Sequence, residues 1–172
     1  MRKIKLADKA GFCFGVNRAV DTALNSREKY NKPIYTLGPL IHNNDVVKFL
    51  KSKDINSIEL EDLDNLKEND VIVIRSHGIT PKVFDILKEK KFIIADATCP
   101  YVAHIHERVK KYYELGYKIV IVGDSNHPEV IGINGYCNDT AIISKDGLNI
   151  SKLPAKVCIV AQTTEKQEIF KR

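Results

Sequence analysis

Two cysteines, three histidines, a glutamate and two threonines stand at matched spacing along this chain. Cys13 lies in Gly-Phe-Cys-Phe-Gly-Val and Cys99 in Ala-Thr-Cys-Pro; His42 follows Cys13 by 29 residues and His127 follows Cys99 by 28. A third station comes 64 residues after each cysteine, at His77 and at Thr163. A thiol at a helix start meets the positive end of the dipole, which favours the thiolate, a nucleophile or a metal ligand. An imidazole ahead of a helix adds a donor to free backbone N–H groups, a combination that suits phosphate or diphosphate. His127-Pro128-Glu129 sets an imidazole beside a carboxylate, a pair that holds and relays a proton. Thr163 and Thr164 offer hydroxyls to a substrate hydroxyl. Taken singly, each residue has a plainer reading: a buried small thiol, a solvated or capping histidine, a first-turn carboxylate, a threonine cap. Their repetition at equivalent positions favours one shared site.

The elements that must position these residues follow from hydrophobic periodicity. Short strands are predicted at Ile4 to Ala7, Ile34 to Leu37, Ile55 to Leu60, Val71 to Ile74, Phe92 to Ala95, Ile119 to Val122, Ala141 to Ser144 and Val157 to Val160. The continuous apolar run Val71 to Ile74 reads as a buried parallel strand and Ile119 to Val122 as a buried strand, with Val157 to Val160 another apolar run. Helices are predicted from Gly15 to Tyr30, after Asn43 or Asn44, after Thr80-Pro81, from Tyr101 to Tyr113 and after His127. A short polar helix is expected from Glu61 to Lys67, and the opening turns of another from Glu165 to Arg172. Ile94-Ala95-Asp96 before Cys99 echoes Leu6-Ala7-Asp8 before Cys13, and the run at Val157 follows that at Val71 by 86 residues. The chain is therefore read as a repeat of small α/β lobes with mainly parallel sheets: an entry strand and loop over 1–13, a first lobe over 14–98 and a second over 99–172. In such sheets ligands bind beyond the carboxyl ends of the strands, where all these residues fall. Cys158 is expected in the core and Cys137 at a helix end with no role. His104 and His106 are expected to be surface or packing residues away from the junctions.

Apolar runs of four to six residues cannot span a bilayer, and the Met-Arg-Lys start is not a signal peptide. Both point to a cytoplasmic protein without a membrane partner. Four widely spaced cysteines do not form a secreted disulfide framework, and no CxxC pair suggests a zinc ribbon. The net charge of +5 suits a small anionic substrate. No aromatic-studded basic patch argues for nucleic acid.

Gly11 to Val20 (GFCFGVNRAV), Ser76-His77-Gly78, Asp96-Ala97-Thr98-Cys99-Pro100, His127-Pro128-Glu129-Val130 and Gln162-Thr163-Thr164 closely resemble the motifs of the LytB/IspH family of the non-mevalonate isoprenoid pathway, in the same order. The resemblance implies an oxygen-sensitive iron–sulfur oxidoreductase with three α/β lobes in pseudo-threefold arrangement around a central 4Fe-4S cluster held by three cysteines. It implies removal of the hydroxyl of 4-hydroxy-3-methylbut-2-enyl diphosphate as water, giving isopentenyl and dimethylallyl diphosphates, with ferredoxin or flavodoxin as electron donor. By motif match Cys13 and Cys99 would ligate the cluster, and His42 and His77 would contact the diphosphate. His127 and Glu129 would serve the substrate hydroxyl and proton delivery, with Thr163 beside that hydroxyl and Thr164 next to it.

Extending the repeat puts a further cysteine near position 185, while the sequence runs to 172. The third cysteine and third lobe of the family are therefore not expected in this chain, and neither Cys137 nor Cys158 sits in the matching motif. The expectation is that the chain alone holds no normal cluster and is inactive. A non-catalytic anion-binding α/β fragment is the alternative, and a thiol enzyme with Cys13 as nucleophile a third reading.

Overall fold

Short apolar runs alternating with amphipathic stretches build two all-parallel sheets. The structure, a computed structural model, describes residues 3–8, 10–41, 43–148, 150, 152–166 and 168. Helix α1 (Phe14–Tyr30) leads into β1 (Ile34–Leu37), α2 (Asn44–Lys51) and β2 (Ile55–Ile58). A 3-10 helix (Leu60–Asn65), β3 (Val71–Ile74), α3 (Pro81–Glu89) and β4 (Ile93–Asp96) follow. Then come α4 (Pro100–Glu114), β5 (Lys118–Val122), α5 (Pro128–Gly135), β6 (Ile142–Ser144) and β7 (Val157–Ala161). The first sheet has the order β2-β1-β3-β4 and the second β6-β5-β7, with every pairing parallel. The order β2-β1-β3 recurs as β6-β5-β7, so the repeat seen in the sequence is a repeat of topology.

Strand β3 is buried along its whole length because both of its faces are covered. Val71 and Val73 pack with Ala19 and Ala23 of α1, and Ile72 and Ile74 pack with Leu87 of α3. The buried stripe of α1 is Gly15, Ala19, Ala23 and Ser26, all small, which lets the helix lie close on the sheet. In the second sheet Ile119, Ile121, Cys158 and Val160 pack with Val109 of α4 and with Val130, Ile133 and Cys137 of α5 and its end. Cys158 is a core residue as expected. Cys137 is fully buried, with its thiol donating to the Asn134 carbonyl oxygen at 3.2 Å.

The structure corrects the sequence reading in places. Residues 4–7 form no strand, and Ile4 and Leu6 are 94% and 85% exposed. The equivalent β4 is a strand because β3 supplies its hydrogen-bonding partner, and residues 4–7 meet no such edge among the described residues. The strand predicted to reach Leu60 stops at Ile58, where a capping box takes over: Asp62 accepts from the Glu59 N–H at 2.9 Å. The helix predicted from Glu165 falls largely outside the described residues.

The small stripe of α1 yields a prediction. Ala23→Leu pushes extra atoms against β3 and is expected to cost about 1–3 kcal/mol. Asp21→Asn, on the exposed side of the same helix, should stay within roughly 0.5 kcal/mol of the parent. Urea unfolding of both variants checks this.

Candidate functional site

Cys13 is the N-cap of α1 and Cys99 the N-cap of α4, and neither side chain makes a capping hydrogen bond. Cysteine is a poor cap, so two sulfurs stand before open helix N–H groups without being used by them. Cys13 is exposed and Cys99 half-buried. The two helix starts meet: a Cβ placed on Gly15 would lie 2.7 Å from the Cys99 Sγ. Any side chain at Gly15 would push the second thiol away from the turn that carries the first.

The Cys99 loop is held on several sides. Arg18 of α1 donates through Nη1 to the Thr98 carbonyl oxygen at 2.8 Å and through Nη2 to that of Asp96 at 3.3 Å. The Asp96 carboxylate accepts from the Thr98 N–H at 2.8 Å. The Cys99 N–H donates to the Ser76 carbonyl oxygen at 2.9 Å, tying this loop to the turn before His77.

His77 and His127 come from different sheets and touch edge to face, with ring centroids 5.2 Å apart. His127 is the N-cap of α5, and its Nδ1 accepts from the Glu129 N–H at 3.1 Å. With Nδ1 an acceptor, the proton of the neutral ring is assigned to Nε2, which is left to donate outward. His42 lies outside the described residues. Asn43 after it caps α2, accepting from the N–H groups of Asp45 and Val46.

Glu129 is only 1% exposed. Its Oε1 accepts from the Thr163 N–H at 2.6 Å and its Oε2 from the Thr163 hydroxyl at 2.8 Å. The Thr163 hydroxyl proton is thus committed to the carboxylate, leaving its oxygen to accept from another hydroxyl. Thr164 is turned elsewhere: its Oγ1 accepts from Gln162 Nε2 at 2.6 Å. Gln162 Oε1 accepts from the Asp124 N–H at 3.2 Å, and the Asp124 carbonyl accepts from the His127 N–H at 2.9 Å. Gln162 therefore links the ends of β5 and β7, which approach so closely that a Cβ on Gly123 would lie 2.9 Å from the Gln162 Cβ.

A cavity of about 190 Å³ opens beside the His77 turn, lined in part by Gly38, Arg75, Gly78, Pro128 and Gly132. Burial lowers the pKa of Arg75 below its ordinary value, against an opposing effect of Glu59. A cleft of about 1010 Å³ between α3, α4 and the end of α5 contains none of the predicted site residues. The conjunction of thiols, imidazoles, carboxylate and hydroxyl at the strand ends identifies the site better than cleft size does.

The family model described as LytB protein matches residues 4–172. The chain belongs to the LytB family. Among curated relatives of this LytB chain, the 4-hydroxy-3-methylbut-2-enyl diphosphate reductase of Clostridium acetobutylicum is 62% identical over 174 residues, covering 100% of the chain and 27% of the relative. That of Clostridium perfringens is 58% identical over 171 residues, covering 99% of the chain and 61% of the relative. A solved structure of a 4-hydroxy-3-methylbut-2-enyl diphosphate reductase, described as the terminal enzyme of the non-mevalonate pathway, superposes with a TM-score of 0.85 at 44% identity, covering 98% of this chain and 60% of that one. A reductase from Plasmodium falciparum superposes at 0.86 with 32% identity, covering 95% and 52% of the two chains. The LytB chain thus spans less than two thirds of the length of these relatives.

Sequence reasoning singled out the ends of the LytB site and missed what holds them. Arg18 lies inside the quoted Gly11–Val20 motif, where a guanidinium next to a stripe of small residues was a usable signal. Gln162 opens the Gln-Thr-Thr motif, and its polar side chain at a buried strand end was another. His106, expected away from the junctions, lies against them: it is 4% exposed, stacks on Tyr136, and reaches the His77-Gly78 turn. The spacing of Val102, His106 and Val109 on the buried face of α4 was the sign of this.

Two predictions follow from these contacts. Glu129→Gln can keep both bonds, accepting from the Thr163 N–H and exchanging roles with its hydroxyl, so folding stability should change little. Thr163→Val leaves a buried carboxylate oxygen unpaired and is expected to cost about 1–3 kcal/mol. Urea unfolding of the two variants at neutral pH distinguishes them. Burial drops the His106 pKa to about 4 from 6.5, with Asp96 opposing. The unfolded chain therefore binds a proton that the folded chain refuses, and this part of stability is lost as pH falls from about 6.5 toward 4, by roughly 2–3 kcal/mol. The difference in unfolding free energy between the parent and His106→Gln, followed from pH 7 to pH 4.5, should shrink accordingly.

Proposed function

We propose that this chain is part of an iron–sulfur reductase acting on 4-hydroxy-3-methylbut-2-enyl diphosphate in isoprenoid biosynthesis, within a three-lobe, pseudo-threefold architecture. Residues 14–98 and 99–172 form two of the lobes. The observation that carries the reading is the pairing of Glu129 with both donors of Thr163, in a chain whose two motif cysteines are left unused by their own helices. The relatives' names agree with it.

Cys13 and Cys99 fit an iron–sulfur cluster in donor type and placement, since soft thiolates suit iron and both precede a helix start. They are two ligands of the cluster. The family resemblance implies a third cysteine, whose motif neither Cys137 nor Cys158 matches. When bound, the cluster supplies electrons and a Lewis-acidic iron for the substrate hydroxyl oxygen. The chain's own residues supply binding and protons. His77 and His42 receive the diphosphate. His127, with its N–H on Nε2, donates toward the substrate. The Glu129 carboxyl and the Thr163 hydroxyl form a relay whose direction depends on protonation: a carboxylate holds the threonine proton, whereas a carboxylic acid passes a proton to the threonine oxygen and lets its hydroxyl donate to the substrate. Thr164 steadies the same turn through Gln162. Loss of the hydroxyl as water requires two electrons and two protons, and ferredoxin or flavodoxin serves as donor. A cytoplasmic location agrees with the absence, among the described residues, of a helix long and apolar enough to cross a membrane.

The test replaces the matching stretch of the Clostridium perfringens relative by residues 1–172 and reconstitutes the hybrid with iron and sulfide without oxygen. The hybrid is expected to bind a cluster and turn over. Cys13→Ser and Cys99→Ser should lose iron, sulfide and visible absorption. Glu129→Gln should keep the cluster and lose turnover by about 10²-fold or more. A full cluster in both serine variants, or undiminished turnover in Glu129→Gln, refutes the assignment.

A further inference from the structure

His106 is a buried histidine that the proposed chemistry does not use. It lies on the inner face of α4 and is 4% exposed, and its Nε2 has no hydrogen-bond partner among the described residues. Burying an imidazole with an unused nitrogen costs free energy. Burial keeps the ring neutral at physiological pH.

Two segments carrying site residues meet on this ring, and the loop before Cys99 lies beside the same gap. A Cβ on Gly78, directly after His77, would lie 2.5 Å from the His106 Cε1 and 3.2 Å from the Thr98 Cγ2 in the loop before Cys99. A Cβ on Gly132, in the helix headed by His127 and Glu129, would lie 3.5 Å from Nε2 and 3.5 Å from the His77 carbonyl oxygen. Tyr136, at the end of that helix, stacks on the ring with centroids 4.3 Å apart and an angle of 18°. A planar ring thus occupies the space that Gly78 leaves open and lies against the helix headed by His127 near Gly132, spacing the backbones behind His77 and Glu129 with the Cys99 loop alongside at Thr98.

We propose that His106 is a positioning residue that sets the separation of the His77 turn, the Cys99 loop and the His127–Glu129 helix. The inference rests on reading those residues as one site. Its test needs no cluster and no turnover, so its failure and the failure of that reading are distinguishable.

In the 172-residue chain, two local readouts suffice: the rate of iodoacetamide modification of Cys99 relative to Cys13, resolved by peptide mass spectrometry, and the proton contact between the His77 and His127 rings in the NMR spectrum. His106→Ala is expected to raise the Cys99 to Cys13 ratio roughly fivefold or more, because a loop that loses its packing opens more often. The ring contact should weaken in parallel. Val109→Ala removes a fully buried side chain from the same helix face, in the second core. It should lower the unfolding midpoint and leave both readouts unchanged. His106→Gln, similar in volume but unable to stack, replaces the alanine variant if that one does not fold, with the same expected changes. An unchanged ratio and an intact ring contact in a folded His106 variant overturn the proposal. So does an equal response in Val109→Ala, which would make His106 an ordinary core residue.

Discussion

The Glu129 carboxyl group, with almost no solvent contact, is the constraint around which this end of the second sheet is arranged. Isolated, Glu129 would lose several kcal/mol of hydration. It is retained because Thr163 meets both oxygens, one with its backbone N–H and one with its hydroxyl, and because the carboxylate sits in the first turn of α5 where the helix dipole favours negative charge. Those bonds require the ends of β5 and β7 to sit side by side. That closeness in turn requires Gly123, and it places Gln162 where it can brace the loop leading to His127. Satisfying one buried charge thus orders a strand end, a loop and a helix start.

The join between the two sheets depends on a different economy of space. Gly15 and Gly78 are positions where a Cβ would press on the Cys99 sulfur or on the His106 ring. With those atoms absent, α1 can approach the Cys99 loop closely enough for Arg18 to bond two of its carbonyl groups, and the Cys99 N–H can reach Ser76. The sulfurs stay outside these bonds, as do Nε2 of His127 and the lone pairs of Thr163. The framework consumes the backbone groups and leaves the reactive atoms available.

Much of the fold was legible because its signals are local. The apolar runs at Val71 and Val157, the Thr80-Pro81 start and the Asn43 cap each depend on a few neighbouring residues, and all form where expected. The strand expected at residues 4–7 does not form, because a strand needs a partner edge that its own sequence cannot supply. Among the site residues, the expected pair of the His127 imidazole with the Glu129 carboxylate takes another form: Nδ1 accepts from the Glu129 backbone N–H, and the carboxylate bonds Thr163. That Thr163 rather than Thr164 faces the carboxylate was not legible, since both lie in the turn after β7 and only the packing of that turn against the start of α5 decides which hydroxyl meets Glu129.

By itself the sequence determined the repeat, the parallel α/β class, the family and the list of reactive side chains, because periodicity, caps and motifs are written along the chain. Only the tertiary structure decided which of those side chains meet. The Cys99–Gly15 approach, the His77–His127 contact, the Glu129–Thr163 pairing and the burial of His106 all join residues distant in sequence. Such contacts are selected by how the sheets and the helices packed on them can share space without clashes or unpaired charge, a condition that no stretch of residues carries alone.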